Sequence, residues 1–207
     1  MNQAENQAAI IRTFHVSRSY GAKSALSDIT LDILKNEFLF ITGPSGAGKT
    51  TLMKLMYLGE PVSEGQILVD GINLSRIHPR RIPYLRRKFG IVFQDYKLIP
   101  TETIFENIAL VLEALGKKRS LVHKKVRSLL RTVGMEDRRD AFPPSLSGGE
   151  QQRIAVARAV AGDPKIILAD EPTGSLDADS AGVIVNLLRT FHSRGATVII
   201  ATHDMEL

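Results

Sequence analysis

The sequence has 207 residues, of which 43% are hydrophobic and 24% are charged, proportions typical of one globular domain. No apolar run reaches the roughly 18 residues that a membrane-spanning helix needs, and the start lacks the basic-then-apolar pattern of a secretory signal. Cysteine is absent, which excludes disulfides and cysteine-ligated metal sites. Together these features predict a cytoplasmic location.

The chain is basic, with 27 Lys and Arg against 22 Asp and Glu, a formal charge of +5. The positive residues gather in three places, at 80–88, 117–119 and 124–139. The first cluster contains Arg80, Arg81, Arg86, Arg87 and Lys88. Such a distribution suits an anionic lipid surface or a nucleic acid, but a solvated helix face has the same composition. The charge distribution alone therefore does not identify the binding partner.

The N-terminal part is predicted to be rich in strands. Residues 10–16 and 29–34 alternate apolar with polar, as half-buried antiparallel strands do. Residues 38–42 form a nearly continuous apolar run, which predicts a strand covered on both faces. A glycine-rich loop and a helix at 49–57 follow, and then strands at 66–69 and 90–93.

The middle of the chain changes to helical periodicity. Apolar residues at helical spacing predict helices at 104–115 and 120–133, with Gly116 and Gly134 as stops. The pattern then predicts a helix at 150–161, a buried strand at 166–169, a helix at 178–191 and a buried strand at 197–201. Strands that alternate with helices predict an α/β core with a parallel sheet. We expect 1–207 to form one domain, with residues 95–145 as a helical subdomain inserted between core strands.

A glycine-rich segment at 43–50, GPSGAGKT, matches the phosphate-loop pattern GxxxxGK[ST]. Glycines let backbone N–H groups wrap a polyphosphate, Lys49 supplies a cation, and the Thr50 hydroxyl can ligate Mg²⁺. The predicted buried strand before the loop and helix after it are the context that this mechanism needs. The predicted ATP contacts are Gly43, Pro44, Ser45, Gly46, Ala47, Gly48, Lys49, Thr50 and Thr51.

Two adjacent carboxylates follow the predicted strand at 166–169. Asp170 is placed to reach the Mg²⁺ coordination shell, and Glu171 to act as general base toward water. The same residues could serve as a helix cap and a surface acid. Their occurrence with a phosphate loop favours the catalytic interpretation.

Residues 146–150, LSGGE, are identified as the signature motif of the ABC ATPase family. Ser147 could also cap a helix through Glu150, which is compatible with an anion site. The resemblance implies the ABC ATPase fold, in which a RecA-like P-loop core carries an N-terminal antiparallel β-subdomain and an inserted helical subdomain. It also implies that Leu146, Ser147, Gly148, Gly149 and Glu150 face an ATP held by a second subunit.

The other sequence elements of that family occur in order along the chain. By resemblance, Tyr20 stacks on adenine, and Gln94 contacts both Mg²⁺ and the attacking water. Ser175, Leu176 and Asp177 match the D-loop at the dimer interface, and His203 matches the histidine that contacts the γ-phosphate. The resemblance thus implies a Mg²⁺-dependent ATPase whose catalytic residues are Glu171, His203 and Gln94, with Thr50, Gln94 and Asp170 at the metal. It also implies a homodimer that encloses two ATP molecules.

Within the ABC family the sequence most resembles the FtsE family of bacterial cell-division ATPases. The segments that carry this resemblance are IPYLRRKFGIVFQD at 82–95, TIFENIAL at 103–110, LSGGEQQRIAVARAV at 146–160 and ADEPTGSLD at 169–177. Members pair with the membrane protein FtsX and control peptidoglycan hydrolases. The resemblance implies a peripheral subunit on the cytoplasmic face of the bacterial inner membrane, and Arg80–Lys88 is a candidate contact with that membrane or partner.

Two other interpretations stay open. The ATPases of lipoprotein-release and macrolide-efflux transporters share the EPTG and LD segments, and would do the same chemistry for a different purpose. An ABC ATPase that acts on nucleic acid would also suit the basic charge, although residues 51–145 show no sustained heptads and only one set of motifs is present. We therefore expect no direct contact with nucleic acid. A small-molecule kinase would lack LSGGE.

Overall fold

A computed structural model describes residues 8–204, so the ends of the predicted domain, 1–7 and 205–207, lie outside the described residues. The strands are β1 (Ala9–Tyr20), β2 (Lys23–Leu34), β3 (Phe38–Thr42), β4 (Glu64–Val69), β5 (Ile72–Asn73), β6 (Phe89–Val92), β7 (Ile166–Asp170) and β8 (Thr197–Thr202). The α-helices are α1 (Lys49–Met56), α2 (Ile82–Arg86), α3 (Ile104–Ala114), α4 (Arg119–Thr132), α5 (Gly148–Val160) and α6 (Ala178–His192). Within 8–204, no helix combines the length and apolarity needed to cross a bilayer.

An antiparallel sheet with the order β2-β1-β4-β5 occupies the N-terminal part of the fold. It confirms the antiparallel strands predicted from alternation, although β1 and β2 are both longer than predicted. The short strand β5 was not predicted. It pairs with β4 through a turn at Asp70 and Gly71, both at positive φ. The Asp-Gly dipeptide is a known hairpin signal, so the sequence did contain this information.

A second, fully parallel sheet has the order β3-β8-β7-β6 and confirms the predicted α/β core. The expectation that residues 38–42 form a strand covered on both faces is confirmed, since Phe38 and Phe40 pack against one core and Leu39 and Ile41 against the other. β3 lies at the edge of the sheet, where Phe38, Leu39, Phe40 and Ile41 are only partly buried. The apolar run does not reveal this position because an edge strand and a central strand can have the same composition.

The parallel sheet separates two apolar cores, and the pleat of its strands assigns alternate residues to each. Ile166 and Leu168 pack with α1 and the antiparallel sheet. Ile167 and Ala169 pack with the helices on the opposite side. Each central strand therefore contributes to both cores, which fixes the register of β7 and β8 and the positions of their carboxyl ends.

Helices α3, α4 and α5 lie between β6 and β7 in the chain. Helices α3 and α4 fall within residues 95–145, the predicted helical subdomain, and α5 follows it. Thr103 caps α3 in a capping box with Glu106. Gly116 and Gly134, predicted as helix stops, follow α3 and α4 with φ of 70° and 66°. A left-handed residue after the last turn favours glycine, so both predictions are confirmed.

Candidate functional site

All four parallel strands end at one edge of their sheet, and each is followed at once by predicted site residues. The phosphate loop starts after β3, Gln94 comes two residues after β6, Glu171 follows β7 and His203 follows β8. Register pairs Thr42 with Thr202 and Asp170 with Ala201. The sheet thus brings together residues that are up to 160 positions apart in the sequence.

The phosphate loop bends through Gly43, Gly46 and Gly48, all at positive φ. Glycine is required most strictly at Gly48, where a Cβ would lie 2.5 Å from the Ala25 carbonyl oxygen. The loop therefore lies directly against β2, and α1 begins at the next residue. A helix start preceded by such a loop presents free N–H groups, which suits a polyphosphate.

Lys49 is a nearly buried cation, 8% exposed, at the start of α1. Its Nζ donates to the carbonyl oxygens of Gly43 at 2.7 Å and Pro44 at 3.2 Å. It also lies 3.4 Å from Glu171 Oε1. These contacts hold the ammonium group inside the phosphate loop.

Thr50 and Asp170 join the phosphate loop to β7. The Thr50 hydroxyl donates to Asp170 Oδ1 at 3.0 Å. Burial raises the pKa of the Asp170 carboxyl, and the Thr50 hydrogen bond only partly offsets this effect. One hydroxyl and one carboxylate in direct contact form a pair of hard oxygen donors, and Gln94, which follows β6 at the same edge of the sheet, could add an amide oxygen. Such a set fits Mg²⁺, which takes its other ligands from water and phosphate.

Glu171 makes contacts with both of its carboxylate oxygens. Oε2 lies 2.9 Å from His203 Nδ1 and accepts from the His203 N–H at 3.3 Å. Burial acts to raise the pKa of Glu171, but the hydrogen bonds from His203 and Lys49 outweigh it, and the pKa falls below its usual value. The residue also has a φ of 46°, in the left-handed region. Such strained backbone is common at functional sites.

Gln94 is exposed, and its Nε2 lies near Gly174, at 3.5 Å from where a Cβ would be. Sequence reasoning missed a second glutamine behind it. Gln152 of α5 is fully buried, and its Nε2 donates to the carbonyls of Phe93 at 3.4 Å and Pro172 at 2.7 Å. It therefore joins the residue before Gln94 to the residue after Glu171.

The segment after β6, residues 94–97, has a second support that the sequence did not reveal. Tyr96 and Lys97 both have positive φ, 57° and 51°. Arg158 of α5 donates to the Lys97 carbonyl at 2.6 Å and the Tyr96 carbonyl at 2.7 Å. A partly buried guanidinium thus holds two consecutive left-handed residues in place.

The LSGGE segment forms the N-terminus of α5. Ser147 accepts from the Glu150 N–H at 3.3 Å, and Glu150 accepts from the Ser147 N–H at 2.8 Å, so the predicted cap is confirmed. A hollow of about 180 Å³ beside this turn is lined by residues of α5 and α6 and by Ser147. No phosphate-loop residue is among them. Leu146 is buried in the helical core.

The residues matched to the D-loop lie between β7 and α6. Asp177 caps α6 by accepting from the Ser180 N–H at 2.8 Å, a structural task that the sequence interpretation did not include. Leu176 packs near Gly148. Ser175 is exposed. The D-loop and the LSGGE turn are therefore neighbours.

Tyr20 lies at the end of β1 and is 44% exposed. Its hydroxyl donates to Glu60, and the Arg18 guanidinium lies 4.7 Å from the centre of its ring. An exposed ring with a fixed hydroxyl can stack on a nucleotide base.

The basic cluster at 80–88 divides into partnered and exposed residues. Arg86 donates to the carbonyls of Leu58 at 2.7 Å and Tyr57 at 3.4 Å, and so supports the end of α1. Lys88 pairs with Asp70, and Arg87 lies over the Tyr84 ring. Arg80 and Arg81 have exposed side chains. Only part of the cluster is therefore available to a partner.

Comparisons with known proteins agree with this geometry. The profile of the ABC transporter family matches residues 26–174. The cell division ATP-binding protein FtsE of Bacillus subtilis (strain 168) is 44% identical over 183 residues, 88% of this chain and 80% of the relative. A dimeric bacterial ABC transporter cassette, MJ0796, superposes with a TM-score of 0.87 at 35% identity, covering 95% of this chain and 89% of the other. Its post-hydrolysis dimer, bound to ADP and Pi, gives 0.86 at 34% identity over the same shares.

Proposed function

The chain belongs to the ABC transporter family of ATP-hydrolysing subunits, and from this premise we propose that it is the ATPase of a bacterial cell-division complex. In this proposal two copies enclose two ATP molecules and act on a membrane partner of the FtsX type. The relatives named as FtsE support the cell-division assignment. The dimeric solved cassettes support the assembly.

The observation that carries the proposal is the arrangement of Lys49, Glu171 and His203 at the carboxyl edge of the parallel sheet. Lys49 and His203 contact different oxygens of the same carboxylate, Oε1 at 3.4 Å and Oε2 at 2.9 Å. This combination places the carboxylate, a base for water, between a cation for phosphate and a histidine. Such groups serve phosphoryl transfer to water.

In the proposed reaction the phosphate loop and Lys49 bind the β- and γ-phosphates of ATP. Glu171 accepts a proton from water as the water oxygen attacks the γ-phosphorus and the bond to the bridging oxygen breaks, releasing ADP. His203 orients Glu171 and the γ-phosphate. Gln94 orients the water. Mg²⁺, held by Thr50, Asp170 and Gln94, would neutralise charge on the phosphates.

A dimer completes each site in this proposal. The LSGGE turn offers the Ser147 hydroxyl and the N–H groups of Gly148 and Gly149, and its hollow contains no phosphate-loop residue of the same chain. A helix N-terminus of this kind attracts an anion. Pairing two chains head to tail would place this turn against the γ-phosphate bound by the other copy.

The identity of the membrane partner is tested by trapping the closed, ATP-bound dimer. A Glu171→Gln variant loaded with MgATP is added to detergent-solubilised bacterial membranes, and the proteins that co-purify are identified. We expect one four-helix membrane protein with a large extracytoplasmic loop. Co-purification of a lipoprotein-release or efflux permease would leave the ATPase function in place and overturn the cell-division role. Ribosomes or nucleic acid without a membrane protein would overturn the membrane-coupled function. Lys49→Ala, which should not bind ATP, controls for capture independent of nucleotide.

The exposed residues Arg80 and Arg81 are proposed to contact the anionic membrane surface or the partner. Arg86 is unsuitable for this test because it supports α1. Arg80→Glu with Arg81→Glu should weaken binding to partner-containing membranes. Lys124→Glu with Arg127→Glu, on the exposed face of α4, changes the net charge equally and should not. An equal loss of membrane binding in both double variants would show that the net charge of the protein, and not the position of Arg80 and Arg81, determines this binding.

A further inference from the structure

Glu60 is at the centre of a cluster of polar side chains next to Tyr20. It accepts from the Tyr20 hydroxyl through Oε2, from Arg18 Nη2 at 3.2 Å and from Lys54 Nζ at 3.2 Å. The side chains of Glu60 and Arg18 are 21% and 18% exposed. Hydrogen bonds between charged groups in such partly buried places are stronger and more directional than those on the open surface.

Arg18 restricts the Tyr20 ring in a second way. Its guanidinium lies 4.7 Å from the ring centre, so it covers one face of the ring. The hydroxyl is held by Glu60, and the residue as a whole is still 44% exposed. The exposure is therefore on the remaining face and edge. Tyr20 offers a planar ligand one stacking face in a fixed orientation.

The same carboxylate ties Tyr20 to the phosphate loop. Lys54 lies on α1, five residues after Lys49, which is about 7.5 Å along a helix. Glu60 follows α1 closely, and the Gly59 N–H donates to the Lys54 carbonyl at 2.8 Å. The Ser63 N–H donates to the Ser17 carbonyl at 3.0 Å, which holds this segment against β1. The end of α1 and the end of β1 are thus joined around Glu60.

We propose that Glu60, together with Arg18, is a positioning residue that fixes Tyr20 as a one-sided platform for the purine base. Lys54 sets the separation between that platform and the phosphate loop. This inference rests on the proposed ATP site but adds residues that neither the sequence motifs nor the phosphate loop identify. Its energetic contribution reaches the ligand only through Tyr20, and it acts on the base and not on the phosphates.

The test compares the dissociation constants of MgATP and of magnesium tripolyphosphate, which has the phosphates but no base. Glu60→Ala and Tyr20→Phe should each weaken ATP binding by about three- to tenfold, the range expected for partial loss of an aromatic stacking interaction. Tripolyphosphate binding should change by less than about twofold. Steady-state hydrolysis should show a raised KM for ATP with kcat unchanged. Glu60→Gln, whose amide oxygen still accepts from the Tyr20 hydroxyl, should restore part of the affinity.

The double variant Tyr20→Ala with Glu60→Ala decides whether Glu60 acts through Tyr20. A positioning role predicts that Glu60→Ala adds no further loss of ATP affinity once the ring is gone. Additive losses, or an equal loss of tripolyphosphate affinity, would overturn the inference. Glu64→Ala removes the same charge four residues away and should leave both affinities unchanged. If the wild-type protein bound neither ligand, the proposed ATPase function would fail first, so the two failures are distinct.

Discussion

Glu171 Oε2 lies 2.9 Å from Nδ1 of His203, and Oε1 of the same carboxylate lies 3.4 Å from Lys49 Nζ. The carboxylate is thus kept ionised by two neighbours that also belong to the proposed phosphate site, and its pKa is below the usual value despite burial. When phosphate takes Lys49 as its partner, Glu171 would lose a positive neighbour and become more basic. A general base benefits from this change at the moment when water must be activated.

Glu171→Gln should leave MgATP binding intact and reduce turnover by about 10²- to 10⁴-fold, because the amide cannot accept a proton from water. Binding by titration and single-turnover hydrolysis measure the two effects separately. Glu113→Gln, on the exposed surface of α3, serves as the matched control. Normal hydrolysis by Glu171→Gln would show that another group is the base.

His203→Ala should raise the pKa of Glu171, since it removes the His203 hydrogen bond that lowers this pKa. The reaction needs ionised Glu171, so the acid limb of the pH profile of kcat should move to higher pH. The profile can be measured between about pH 3 and 8, a range that spans the ordinary Glu and His transitions. His123→Ala on α4 should leave the limb in place. If kcat fell but the acid limb of the pH profile did not move, His203 would contribute to catalysis without affecting the ionisation of Glu171.

The sequence predicted the position of the site residues best where that position follows from local order along the chain. The phosphate loop, Glu171 and His203 each come directly after a strand, Asp170 is the last residue of β7, and parallel strands place such residues at one edge. Gln152 and Arg158 were missed because their partners are 20 to 62 residues away. Nothing in the local pattern of α5 distinguishes them from ordinary polar positions. The fold alone brings them to the loop that follows β6.

Asp70 offers a test of stability outside the ATP site. Hydrogen bonds from Lys165 and Lys88 lower the pKa of its carboxyl, so the folded state binds its proton less tightly than the unfolded chain. This stabilisation is present above the unfolded pKa of about 3.8 and is lost as the pH falls through the lower folded value. Asp70→Asn should therefore lower the free energy of unfolding by roughly 1–2 kcal/mol at pH 7.

The difference between Asp70→Asn and the wild type should shrink as urea denaturation is repeated at decreasing pH. Asp137→Asn, an exposed acid with no ion pair among the described residues, provides the reference. If Asp70→Asn lowered the free energy of unfolding by the same amount at pH 7 and at pH 3, the loss would come from packing and not from the charge of the carboxylate.

Arg158 is predicted to couple α5 to catalysis by holding the segment that carries Gln94. Its two hydrogen bonds go to the carbonyls of Tyr96 and Lys97, whose left-handed backbone would otherwise relax. Arg158→Met should lower the free energy of unfolding by about 1–3 kcal/mol, because the carbonyls of Tyr96 and Lys97 lose hydrogen bonds from a charged donor. It should also lower kcat, since Gln94 no longer has a fixed position. Urea denaturation and steady-state kinetics measure these effects.

Arg189→Met removes the same charge from the exposed surface of α6, where the side chain makes no described contact with residues 94–97. Its kcat should remain close to that of the wild type. Arg158→Lys should be intermediate, because a single ammonium group cannot reproduce the forked geometry that reaches both carbonyls. If Arg158→Met destabilised the fold while kcat stayed normal, Arg158 would support only the structure. Gln94 would then keep its position through other contacts of the segment, such as the Gln152 bond to Phe93.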